Sequence, residues 1–280
     1  MLSSAPASLA SFSARVRHAE PVMGTVVSFE VPLAARHDGS LGAAVRWLHW
    51  VDRVFSPYRA DSDVSLLAEG EVTVDGCVPE MAEVIEACAF VRELSGGYFT
   101  ASPGGRFDPS GYVKGWAVER AAAILSAAGS VSHLVNGGGD VQCAGGRPGP
   151  GQGGGPASVP GTGAGAPVPW RIGIADPFQP GRLALVLAVT DCAVATSGTA
   201  ERGAHIVNPR TGQAAAGLAS LTVTGRSLAL ADACATAGFA MGPDLARDWL
   251  ESLGGYEAYA VTASGETWQT TGFAAYIAAD

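Results

Sequence analysis

A chain of 280 residues with 48% hydrophobic side chains can bury a real core, as one large domain or as two lobes sharing a cleft. Its formal charge of −9 argues against nucleic acid or anionic lipid as a partner of the whole chain, while leaving room for a local basic pocket. Cys77, Cys88, Cys143, Cys192 and Cys234 form an odd set without C-x-x-C or Cys/His ligand spacing, which speaks against a disulfide framework or a zinc site and for reduced, buried thiols.

Residues 1–20 read as a flexible tail. They lack an early basic region and a continuous apolar run, so they do not look like a signal peptide. No later stretch looks membrane-spanning, and a reducing cytoplasm is the simplest fit. "TVVSFEVP" (25–32) reads as a strand. Residues 39–56 read as an amphipathic helix, with Val45, Leu48 and Val51 spaced by three. Residues 57–67 read as a polar turn containing Pro57. A helix over 79–97 has proline at its start and glycine at its end. The next helix, over 111–130, is stopped by Gly129. Short strands at 131–136 and 140–145 flank a glycine run.

Residues 145–169 are nearly all Gly, Pro, Ala and other small types, which have almost nothing to bury. They read as a disordered surface insertion within a domain, because strands resume at Trp170. Strands follow at 170–177, 182–190, 192–198 and 220–225. Helices over 228–242 and 243–255 precede strands at 256–263 and 271–278. No fixed-period repeat and no regular βαβα alternation is present, so the order favours an α+β fold.

Four segments could carry chemistry. In "LALADACATAGFAMG", Asp232 and Thr236 are four apart and share one helical face. They read either as two hard oxygen ligands for Mg²⁺ or as a helix N-cap followed by a small packing residue. In "FDPSGYVKGWAVE", Asp108 and Lys114 flank a turn into a helix. That is either a phosphate site at a helix N-terminus or a capped helix with a solvated lysine. Lys114 is the only lysine among 17 basic residues, by chance or because a compact ammonium is needed there. The glycines of "VNGGGDV" either admit a ligand to the backbone or form a tight hairpin. The run is not G-x-G-x-x-G leading into a helix, so a dinucleotide fingerprint fails. "ATSGTAERGAHIVNPRTG" is dense in polar groups, and His205 is either a general base or structural.

Together the segments resemble the ApbE family, the FAD:protein FMN transferases. The resemblance runs in order through "VMGTVVSFEV", "VFSPYRADSDVSLL", "GGYFTASP", "FDPSGYVKGWAVERAAAIL", "HLVNGGGDV", "VATSGTAERGAHIVNPRTG" and "ALADACATAGFAMG". It implies a two-lobed α+β fold, related to the T-fold, with mixed sheets, helices and a central flavin cleft. Residues 21–280 would be a single catalytic domain. By position, the resemblance assigns Mg²⁺, with Mn²⁺ as a substitute, to Asp232, Thr236 and the Gly111 carbonyl. It assigns flavin contacts to Met23, Tyr58, Tyr98, Phe99, Thr100, Asp108, Lys114 and Val207. Lys114 would also act in catalysis by countering phosphate charge, and His205 is the candidate base. The implied partners are FAD and an acceptor protein of FMN-binding-domain type carrying a Ser or Thr flavinylation site. FAD hydrolysis to FMN and AMP, or FAD binding without turnover, are the alternatives. The chain departs from many relatives at Thr100, where they have Asp, at Ala200, where they have Tyr, and at Ala68, where they have Asn.

Overall fold

Alternation of buried and open positions sets the first hairpin. Strand β2, Thr25–Pro32, buries Val27, Phe29 and Val31. It pairs antiparallel with β1, Arg15–Val22, and Val22 opposite Thr25 leaves Met23 and Gly24 as a two-residue turn. The computed structural model describes residues 14–147, 149, 167–199 and 206–279. Strand β1 therefore begins inside the segment expected as a tail. Its residues hide the strand signal because they are polar, with Arg15 ion-paired to Glu30 at 3.1 Å and His18 hydrogen-bonded to Glu20 at 3.0 Å.

Eight strands form one open sheet in the order β1-β2-β3-β4-β7-β8-β9-β10. Its further members are β3 (His133–Gly137), β4 (Asp140–Ala144), β7 (Ala193–Gly198), β8 (Leu218–Gly225), β9 (Glu257–Thr262) and β10 (Thr267–Gln269). Strands β5 (Trp170–Ala175) and β6 (Leu183–Val189) form a separate hairpin. Every strand pair among the described residues is antiparallel. Because the β5–β6 hairpin is set aside, β4 pairs directly with β7. That pairing brings together two segments about fifty residues apart.

Two cores result. The larger joins the sheet to helices that include α2 (Ser40–Phe55), α4 (Pro79–Leu94), α5 (Ser110–Ala127), α6 (Leu228–Met241) and α7 (Pro243–Glu251). Helix α2 meets α5 through indole rings: Trp47 lies 4.9 Å from Trp50 and 5.2 Å from Trp116, and its Nε1 donates to the Ala117 carbonyl at 3.0 Å. The smaller core packs the β5–β6 hairpin on Val141, Cys143, Cys192, Val194 and Phe273.

The segment expected as a polar turn at 57–67 contains a short helix, α3 (Asp63–Ala68), besides α1 at Ala34–His37. Ser62 caps α3 by accepting the Ser65 N–H at 3.1 Å. Six residues are too few to display an apolar period. The strand expected at 271–278 is instead a 3-10 turn, Phe273–Tyr276. Buried Phe273 stacks 5.7 Å from Tyr259, so its apolar character marks an anchor rather than a ladder. At the base of the insertion Arg147 and Val168 exchange backbone hydrogen bonds of 2.7 and 2.8 Å. Residues 148 and 150–166, within the segment expected as disordered, lie outside the described residues. No helix among the described residues is long and apolar enough to cross a membrane.

Candidate active site

Helix α6 is apolar because it is enclosed: eleven of its residues are buried, Asp232 among them at 4% exposure. The helix starts at Leu228 with Ser227 as its N-cap, whose hydroxyl accepts the Leu230 N–H at 3.3 Å. Asp232 therefore stands in the second turn and is not the cap. Glu119 of α5 supports this start, accepting the Ser227 hydroxyl at 2.7 Å and the Ala229 N–H at 2.9 Å.

Helices α5 and α6 cross at Gly115. A Cβ there would lie 2.6 Å from the Leu228 carbonyl oxygen and 2.9 Å from Asp232 Cβ, so only glycine allows this approach. The Gly115 N–H donates to Asp232 Oδ2 at 3.0 Å. In a regular helix that N–H serves the carbonyl four residues earlier, here Gly111, so the Gly111 carbonyl does not have this donor to itself. Gly111 also borders Thr236: a Cβ on it would sit 3.8 Å from Thr236 Oγ1 and 3.4 Å from the Phe99 ring. Ser197 of β7 places its hydroxyl 3.5 Å from Thr236 Oγ1. Gly111 thus borders Thr236, and Gly115, one turn on, bonds Asp232, so residues bearing a carboxylate, a hydroxyl and a main-chain carbonyl face one another across the α5–α6 crossing. This donor set of hard oxygens fits Mg²⁺, which takes few protein ligands.

Lys114 is one turn from Gly111 and is not a solvated surface lysine. Its ammonium pairs with Asp140 Oδ2 and lies 3.9 Å from Asp232 Oδ1. Asp140, 1% exposed, also accepts the Thr196 N–H at 3.0 Å, tying β4 to β7. No spacing in the sequence marks Asp140, although it closes the "VNGGGD" run. The run is a hairpin: Gly137 opposes Asp140 across Gly138 and Gly139, whose φ angles are +61° and +99°. These two glycines satisfy a turn that needs left-handed backbone, and so set Asp140 at the head of β4.

The remaining predicted residues lie apart from this cluster or beside it as follows. Asp108 precedes Pro109, the N-cap of α5, and accepts the Ser110 N–H at 3.0 Å and bonds the Ser110 hydroxyl, while its own N–H reaches the Ala101 carbonyl at 2.7 Å. That bond ties Ala101, which follows the Tyr98–Thr100 segment, to the start of α5. Arg210 ties the same segment to the Val207 loop, with its guanidinium 4.4 Å from the Tyr98 ring centroid and its Nη2 2.7 Å from the Gly96 carbonyl. Met23 lines a groove of about 760 Å³ with Asp52, Gly138 and the rest of the β1–β2 turn. A larger groove of about 920 Å³ between α7 and the β9–β10 hairpin holds none of the predicted residues. Tyr58 is 93% exposed on the loop after α2. His205 lies outside the described residues.

The ApbE family model matches residues 100–260. A curated FAD:protein FMN transferase from Rhodobacter capsulatus is 30% identical over 218 residues, 73% of this chain and 36% of the relative. The chain thus spans about a third of the length of that relative. Three solved structures share the fold. The flavin transferase ApbE from Vibrio cholerae superposes with a TM-score of 0.77 at 20% identity, covering 94% of this chain and 99% of its own. The ApbE protein from Thermotoga maritima gives 0.78 at 22%, covering 95% and 100%. The flavinyl transferase ApbE from Pseudomonas stutzeri gives 0.76 at 20%, covering 95% and 99%. The matched segment takes in more than half of the sequence, and the chain belongs to the ApbE family.

Proposed function

We propose that this chain transfers FMN from FAD to a Ser or Thr hydroxyl of an acceptor protein of FMN-binding-domain type, releasing AMP. The observation that carries the proposal is the close crossing of α5 on α6, which sets Gly111 beside Thr236 and the Gly115 N–H and Lys114 ammonium beside Asp232. The name of the curated relative, FAD:protein FMN transferase, supports the same reading. The acceptor oxygen attacks the phosphorus on the FMN side of the pyrophosphate. The bond from that phosphorus to the bridging oxygen breaks, and AMP leaves with that oxygen.

In this proposal Asp232, Thr236 and the Gly111 carbonyl would hold Mg²⁺, or Mn²⁺ in its place. The metal would supply charge neutralisation and Lewis acidity at the pyrophosphate. Lys114 offers a compact positive charge to the phosphate oxygens. Met23, Tyr58, the Tyr98–Thr100 segment, Asp108 and Val207 receive the flavin nucleotide. His205 takes the proton of the attacking hydroxyl. The test is incubation of the chain with FAD, Mg²⁺ and an FMN-binding-domain protein, followed by intact mass measurement. Gain of one FMN phosphoester on the acceptor is the expected result. Free FMN with an unmodified acceptor would point to hydrolysis instead, and unchanged FAD to binding alone.

A further inference from the structure

Asp140 is buried and has two partners of different kinds. Oδ1 takes a neutral main-chain donor, the Thr196 N–H at 3.0 Å, and Oδ2 takes the Lys114 ammonium. The same ammonium stands 3.9 Å from Asp232 Oδ1. One fixed cation therefore sits between two carboxylates, and one of these is the proposed metal ligand. A divalent ion on Asp232 would bring a charge of +2 next to this ammonium. Repulsion at that range is strong unless a nearby negative charge offsets it, more so where burial limits solvent screening. The Thr196 bond fixes the Asp140 carboxylate to the sheet, so it holds the ammonium from the β4 side and draws it away from Asp232.

We propose that Asp140 is the positioning residue of the cation site. It cancels the charge of Lys114 and holds the ammonium off Asp232, so that Asp232 accepts a divalent cation while the lysine stays at the cleft. The inference rests on the reading of Gly111, Asp232 and Thr236 as the cation ligands. A purely structural role for Asp140, tying β4 to β7, makes a different prediction. In Asp140→Asn the amide oxygen can still accept the Thr196 N–H, so the tie survives while the charge is lost.

The experiment is a calorimetric titration of the full chain with Mg²⁺ alone, without FAD, on wild type, Asp140→Asn, Lys114→Met and the double variant. Asp140→Asn should bind Mg²⁺ at least about tenfold more weakly, because one unbalanced positive charge now faces the ion. Adding Lys114→Met should bring affinity back to within about threefold of wild type, since the opposing charge is gone. Wild-type affinity in Asp140→Asn, or a loss that Lys114→Met does not reverse, would overturn the inference. Lys114→Met by itself should bind Mg²⁺ at least as tightly as wild type. Weaker binding there would also overturn it, even if Asp140→Asn does not fold. Failure of the wild-type chain to bind Mg²⁺ would instead remove the ligand assignment beneath it, and that result is seen before any variant is made.

Discussion

Met23 occupies a backbone position that suits glycine. Its φ is +54°, followed by +68° at Gly24, in a two-residue hairpin turn that requires both to be left-handed. An L-residue there costs roughly 1–2 kcal/mol. A ligand contact would account for a side chain at such a site, and Met23 lines the groove that also touches Gly138. Met23→Gly should therefore leave the melting temperature unchanged or raised while weakening FAD binding several-fold. A lower melting temperature with intact FAD affinity would assign Met23 to packing alone. At this scale the sequence was informative wherever spacing sufficed: Asp232 and Thr236 lie four apart in one segment, and that segment is the helix it was expected to be. Asp140 was not legible, because its partners Lys114 and Thr196 lie far away along the chain and only folding brings them together.

The crossing of α5 on α6 depends on one missing methyl group. Alanine is a better helix former than glycine by about 1 kcal/mol, so an isolated α5 would gain from Gly115→Ala. In the folded chain the added Cβ would meet the Leu228 carbonyl at 2.6 Å. The helices must part, and overpacking of this kind costs roughly 1–3 kcal/mol or more. Urea unfolding should show Gly115→Ala destabilised, with Mg²⁺ affinity reduced because the Gly115–Asp232 bond is disturbed. Gly111→Ala serves as the comparison: its Cβ would touch the Phe99 ring at 3.4 Å, an ordinary contact, and the main-chain carbonyl remains. It should keep both stability and Mg²⁺ binding to within a few-fold. A stabilised Gly115→Ala would contradict the close crossing. Most helices were legible because long apolar periods and end signals coincide, as in α2 and α4. Strand β1 and helix α3 were not, the first being ion-paired and the second too short for a period.

Across the whole molecule, strand order is what the sequence withheld. Strands β5 and β6 intervene in the chain but not in the main sheet, so β4 lies beside β7 and the site spans that seam. At the start of β3, opposite Ala144, His133 is fully buried and donates to or accepts from Ser130 Oγ at 3.1 Å through Nδ1. Burial pushes its pKa down to about 4, with Arg15 adding to the effect against the pull of nearby backbone carbonyls. The unfolded imidazole takes up a proton below its ordinary value of 6.5, whereas the folded one stays neutral until about pH 4. Stability is therefore lost as pH falls from 6.5 to about 4, by up to about 3 kcal/mol, and levels off below that. In chemical unfolding at pH 7 and pH 4.5, His133→Gln should lose less stability on acidification than wild type. Equal losses in the two proteins would show that His133 does not carry the acid sensitivity.

Coupled measurement of AMP release and acceptor labelling is the most direct test of a transferase site built from Gly111, Lys114, Asp232 and Thr236. With FAD, Mg²⁺ and an FMN-binding-domain acceptor, the wild-type chain should release one AMP for each FMN joined to the acceptor. Chelation of the metal should stop both, and Asp232→Ala, checked to be folded, should do neither. AMP accumulating over an unlabelled acceptor, or near-wild-type labelling by Asp232→Ala at low Mg²⁺, would contradict it.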